Sequence, residues 1–208
     1  LKGKCRYCRA PISSQYPLIE LLTGILFVVS YAAWPYNLDL SWAVLLFATW
    51  LVALVGLIAL AVYDIKWMLL PDRIIYPLLV VTFLSFIFQL ALGRPLSNVW
   101  QAAMGVIIGG GIFWLLFQVS SGKWIGGGDV KLGFLLGLLV GTGTKAFLIL
   151  FFASILGIVW IVPSLITKRM TQSSRLPFGP FLIAAGFIVM LWGQQIIDWY
   201  CQTFLMFQ

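Results

Sequence analysis

Apolar residues run along this chain in long unbroken stretches. Seven stretches carry no charged side chain: residues 21–38, 40–63, 74–93, 95–122, 132–144, 146–167 and 176–197. Six of them have 18 to 28 residues. A helix that crosses the hydrocarbon core needs about 20 mostly apolar residues. Barrel strands would show alternation over roughly 10 residues instead. The pattern therefore predicts an all-α, polytopic membrane protein with about seven transmembrane helices. The seventh stretch, 132–144, has only 13 residues. It becomes a thin span if its helix starts near Gly128 and takes in Asp129 and Lys131. The breaks carry turn chemistry: Trp34-Pro35-Tyr36-Asn37, Leu70-Pro71-Asp72, Gly93-Arg94-Pro95, Gly141-Thr142-Gly143-Thr144 and Arg175-Leu176-Pro177-Phe178-Gly179-Pro180. Gly109-Gly110-Gly111 falls inside the fourth stretch and reads as a place of close helix packing.

Composition narrows the chemistry. The chain is 62% hydrophobic and 9% charged, and it has no histidine. That excludes a Ser-His-Asp triad, a Cys-His dyad and any His-ligated zinc or haem. Acid–base work must come from Asp, Glu, Cys, Lys or Tyr. The net charge of +7 follows topology, with no need for a nucleic-acid partner. With seven crossings, one side receives eleven basic residues: Lys2, Lys4, Arg6, Arg9, Lys66, Arg73, Lys123, Lys131, Lys168, Arg169 and Arg175. The other receives Arg94 and Lys145. Basic residues collect on the cytoplasmic side, so the N-terminus is expected inside and the C-terminus outside.

Six acids remain to be sorted: Glu20, Asp39, Asp64, Asp72, Asp129 and Asp198. Asp39 and Asp198 read as solvated residues at outer helix ends. Glu20 is expected in the first turn of the first span, where it favours the helix dipole. Asp64 closes a 24-residue uncharged stretch, and Asp129 follows three glycines and opens a helix. Two long spans separate them, so an even number of crossings returns both carboxylates to one face. Each also has a plainer reading. Asp129 could cap its helix, and Asp64 could pair with Lys66. Two carboxylates at one site hold a proton between them. The ionised one then accepts a proton from water while the neutral one donates to a carbonyl, which is aspartic-protease chemistry.

These residues also carry a resemblance. Gly126-Gly127-Gly128-Asp129-Val130-Lys131-Leu132 is similar to the GxGD-x-K-L motif of type IV prepilin peptidases. Tyr63-Asp64 through Leu70-Pro71-Asp72 resembles the family's first aspartate motif. The segment Gly3-Lys4-Cys5-Arg6-Tyr7-Cys8 to Tyr16-Pro17-Leu18-Ile19-Glu20 resembles its cytoplasmic cysteine segment, and Leu176-Pro177-Phe178-Gly179-Pro180 its motif before the last span. The resemblance implies an integral aspartic endopeptidase of the bacterial inner membrane, with Asp64 and Asp129 as the catalytic pair. Its substrate would be the basic leader of prepilins or pseudopilins, cut at the cytoplasmic face. Asp72 receives no catalytic role. Many members also N-methylate the new N-terminus from S-adenosylmethionine. The resemblance divides the chain into a partial cysteine segment, 1–16, and a transmembrane peptidase domain, 17–208.

Cys5-x-x-Cys8 would be half of a four-thiolate zinc site, with a redox pair as the other reading. Family members supply a second CxxC upstream, after one more span, so such a segment is expected before Leu1, in the same chain or as a separate partner. Two other functions fit a membrane protein with buried acids. A presenilin-like protease would place its acids deep in the bilayer. A proton-coupled carrier would show paired halves with broken helices.

Overall fold

The computed structural model describes residues 3, 6–8, 10, 13–166 and 177–205. Cys5, Lys168, Arg169, Arg175 and Leu176 lie outside the described residues. The chain divides into two compact units, Leu1–Trp34 and Pro35–Gln208.

The first unit contains one helix, α1 (Gln15–Ala32). It starts six residues before the uncharged stretch that predicts it. Glu20 is exposed and sits in the second turn, and the first turn holds no acid. The expectation of a Glu20–dipole contact is therefore corrected. A charge on an open helix face costs little, so the helix runs through it and the charge-free stretch underestimates its start.

The second unit is built from α2 (Ser41–Trp67), α3 (Asp72–Ala91), α4 (Ser97–Val106), α5 (Ile112–Ser120), α6 (Gly127–Val140), α7 (Gly143–Ile166) and α8 (Gly179–Tyr200). A wide π turn, Ile107–Gly111, joins α4 to α5 into one continuous rod. All described elements are helical, and six helices, α1 among them, are long and apolar enough to cross a membrane. The chain is a polytopic membrane protein. The expected seventh span is α6. Its 14 residues reach only about 21 Å at 1.5 Å per residue, so length alone gives six spans where seven were expected.

α6 lies at the centre of this unit, against α3, α4, α5, α7 and α8. Eight of its fourteen residues are buried, which a helix with lipid on one side would not achieve. Small residues permit this. A Cβ on Gly109 would stand 2.7 Å from the carbonyl oxygen of Gly133, and one on Gly105 would stand 2.6 Å from that of Gly137. The pairing 105 with 137 and 109 with 133 makes α6 antiparallel to the α4–α5 rod. Close approach through small residues replaces the hydrophobic drive that lipid cannot supply. The glycine triplet divides its labour. Gly109 and Gly110 face α6, the latter against the Phe134 ring, while Gly111 meets only Ile107 of its own rod.

The unit has two chemically distinct ends. At one end lie Asp64, Asp72, Asp129 and Gly179, linked by the contacts described below. At the other lie Arg94, Gly141 and Lys145. A Cβ on Gly141 would come 3.1 Å from Arg94 Nη2. α6 thus carries the chain from the acidic end to the basic end, as a crossing segment must.

Candidate active site

Asp64 occupies the last turn of α2, four residues before the helix closes on Met68. Met68 adopts the left-handed conformation (φ 52°) and returns its N–H to the Asp64 carbonyl at 2.8 Å. Pro71 then caps α3. This tight reversal brings Leu70 against Gly128 and Gly179. Asp64 is only 5% exposed. Its side chain does not pair with Lys66, which instead lies over the Trp67 ring at 5.5 Å. Asp64 Oδ2 accepts a hydrogen bond of 2.9 Å from the backbone N–H of Gly179. Gly179 opens α8, with Pro180 in the first turn. A Cβ at position 179 would stand 2.6 Å from Asp64 Oδ2, so a side chain there would displace the carboxylate.

Asp129 sits in the first turn of α6, where Gly126 is the N-cap. The capping role considered for Asp129 therefore falls to a glycine. Asp129 is half-buried. Its backbone N–H donates to the Gly126 carbonyl at 3.1 Å. The glycines keep the approach open. A Cβ on Gly126 would lie 3.3 Å from Asp129 Oδ2, and one on Gly128 would lie 2.9 Å from Leu70 Cβ. Leu70 also lies 3.4 Å from the position a Cβ would take on Gly179. One leucine thus touches both glycines that flank the two acids.

Asp72 stands apart from this pair. Its Oδ1 accepts a hydrogen bond from Lys131 Nζ at 2.6 Å, and both side chains are partly open to solvent. Lys131 also lies over the Tyr76 ring at 5.0 Å. This clasp ties the start of α3 to the start of α6, two residues beyond Asp129. Sequence reasoning singled out Asp64, Asp129, Asp72 and Lys131 but missed the service of Gly179. The only signal was a glycine held between Phe178 and Pro180, because a backbone amide leaves no side-chain trace.

The metal reading fares differently. Among the described residues no group of three Cys, Asp or Glu side chains is placed to hold a metal ion. Cys8 is a free, exposed thiol. Two thiolates from Cys5 and Cys8 could fill half of a tetrahedral zinc shell, so the residues present do not complete a site.

Residues 51–162 match the type IV leader peptidase family, and residues 1–34 match the bacterial peptidase A24 N-terminal domain. The chain is 36% identical over 209 residues to a prepilin leader peptidase/N-methyltransferase of Aeromonas salmonicida, covering 99% of this chain and 67% of that protein. It is 31% identical over 204 residues to the protein of that name from Bacillus subtilis, covering 98% of this chain and 77% of that one. A Dichelobacter nodosus protein of the same name is 38% identical over 196 residues, covering 94% and 64%. No solved structure matches the chain. The matched residues include both aspartates, the turn between α2 and α3, and the glycine run before α6, and on this basis the chain belongs to the type IV leader peptidase family.

Proposed function

We propose that this protein is a membrane aspartic endopeptidase that removes the leader from type IV prepilins, with Asp64 and Asp129 as the reacting pair. One observation carries the assignment. Two carboxylates 65 positions apart in sequence are held at the same end of one helical unit, each with a glycine against it, and Asp64 is fixed by a backbone amide. Such a pair holds one proton. The ionised carboxylate takes a proton from a water molecule as the water oxygen bonds to the scissile carbonyl carbon. The protonated carboxyl donates to the carbonyl oxygen. Collapse of the tetrahedral species returns that proton, breaks the C–N bond, and delivers the other proton to the leaving nitrogen. The Gly179 N–H fixes the rotation of the Asp64 carboxylate and leaves its second oxygen for this exchange.

The chain sits in the bacterial inner membrane in this reading, with its N-terminus and the acidic end cytoplasmic and its C-terminus outside. The support is the eleven-to-two distribution of basic residues. The relatives' names include N-methyltransferase, and methyl transfer to the new N-terminus, with S-adenosylmethionine as donor, is part of the proposal for the intact protein. A structural zinc on Cys5 and Cys8 together with two further thiolates belongs to that same intact protein. The deciding experiment is leader cleavage of a purified prepilin by Asp64→Asn and Asp129→Asn. Asn keeps the shape and removes the shared proton, so both variants should lose nearly all activity. Full activity in either would refute the assignment.

A further inference from the structure

The end of the second unit opposite the carboxylates holds a pair of buried cations. Arg94 is 8% exposed and Lys145 is 6% exposed. Neither has a carboxylate within ion-pair distance among the described residues. Arg94 donates through Nη1 to Gln89 Oε1 and lies over the rings of Trp42 and Phe86 at 5.7 and 5.0 Å. Its buried Nε has no acceptor among the described residues. Gln89 in turn donates to Ser85 Oγ at 3.0 Å, and Ser85 meets Thr49, so the guanidinium is anchored by a buried polar chain. Lys145 Nζ lies over the Tyr36 ring at 5.8 Å. The acids near this end in sequence, Asp39 and Asp198, are both exposed, and Asp198 already accepts a hydrogen bond from Gln194 at 2.9 Å.

Both cations line one cavity of about 230 Å³, together with Asn98, Gln101 and Thr142. The first turn of α7 lies beside it, and a helix N-terminus favours negative charge. Buried charges are normally paired, so two cations facing one cavity call for an anion. The cavity does not end there. It shares Gln101, Thr142 and Gln194 with a second, wider cleft of about 490 Å³, whose wall is apolar at Trp100, Met104, Ile108 and Ile197. A cationic cup that opens into an apolar cleft, in a protein immersed in lipid, has the two halves of a phospholipid: phosphate at one end and acyl chain at the other.

We propose that Arg94 and Lys145 form a binding site for the phosphate of an anionic phospholipid, whose acyl chain lies along Trp100, Met104, Ile108 and Ile197. The site is remote from the aspartates and does not depend on their role.

The test is thermal unfolding of the full chain in an uncharged detergent, with phosphatidylglycerol, phosphatidylcholine or inorganic phosphate added. The change on addition is read separately for each variant, so a general loss of stability cancels. Phosphatidylglycerol should raise the midpoint by roughly 3–5 °C at saturation, and the other two should raise it far less. Lys145→Gln should abolish most of that rise. Gln101→Glu changes an exposed position at the mouth and should do the same by placing a like charge in the cup, so it decides the matter if the buried lysine proves essential for folding. An equal rise with phosphatidylcholine or with inorganic phosphate, or an undiminished rise in Gln101→Glu, would overturn the assignment.

Discussion

The backbone N–H of Gly179 donates to Oδ2 of Asp64 at 2.9 Å, across 115 positions of sequence. It brings the start of the last helix onto the end of the second one. The same glycine leaves no room for a Cβ, which would stand 2.6 Å from that oxygen. Gly179→Ala should therefore lower leader cleavage by at least about 100-fold, the scale of a 1 Å misplacement at a reacting group. Thermal unfolding beside the cleavage assay separates the two consequences. An alanine variant that melts normally and cleaves normally would show that the carboxylate tolerates a Cβ there and that the close approach is dispensable.

The two aspartates act as one unit in the proposed chemistry, so their losses should not add. Asp64→Asn and Asp129→Asn should each cost ~10²–10⁴-fold in kcat. The double variant should be no slower than the worse single one. Single-turnover cleavage measures this directly, and multiplicative losses would argue that the two groups work separately.

Asp72 and Lys131 form a clasp between α3 and α6, and their side chains are 53% and 32% exposed. Exposed pairs of this kind contribute about 0.2–1 kcal/mol. A double-mutant cycle with Asp72→Asn and Lys131→Gln should return a coupling in that range. Cleavage should fall less than about tenfold in either single variant. A loss as large as that of Asp64→Asn would place Asp72 in the reaction.

The glycine triplet offers a contrast within three consecutive residues. A Cβ on Gly109 meets the Gly133 backbone, and one on Gly110 meets the Phe134 ring, but one on Gly111 has only Ile107 at 3.8 Å. Gly109→Ala and Gly110→Ala should each cost on the order of 1–3 kcal/mol as overpacking. Gly111→Ala should be neutral or stabilising by up to about 1 kcal/mol, since alanine is the better helix former. Unfolding in detergent by a denaturant gives the three values.

Much of this arrangement was legible in the chain. Each uncharged stretch corresponds to one helix, or to the α4–α5 rod for 95–122, because a lipid-crossing segment must satisfy its backbone internally and avoid charge. Counting two crossings between Asp64 and Asp129 placed both at one end, and the helices do put them there. What was hidden is specific. α1 runs through Glu20, since the charge faces outward. The π turn at Ile107–Gly111 has no periodicity to betray it. The bonds from Gly179 to Asp64 and from Lys131 to Asp72 join residues 115 and 59 positions apart. Their partners are chosen by helix packing, and packing is set by small residues such as Gly133 and Gly137, whose importance depends on what faces them.

α6 has one further consequence. The helices packed against it run to 20 residues and more, as in α3, the α4–α5 rod, α7 and α8, while α6 stops after 14. A short rod held among longer ones cannot fill the unit from end to end: Asp129 stands at one of its ends, and the cup of Arg94 and Lys145 opens at the other. Hydrolysis consumes water, which hydrocarbon does not hold. In the proposed reaction, a central helix shorter than its neighbours gives water its route to the carboxylates from the acidic end, with the outer wall left closed.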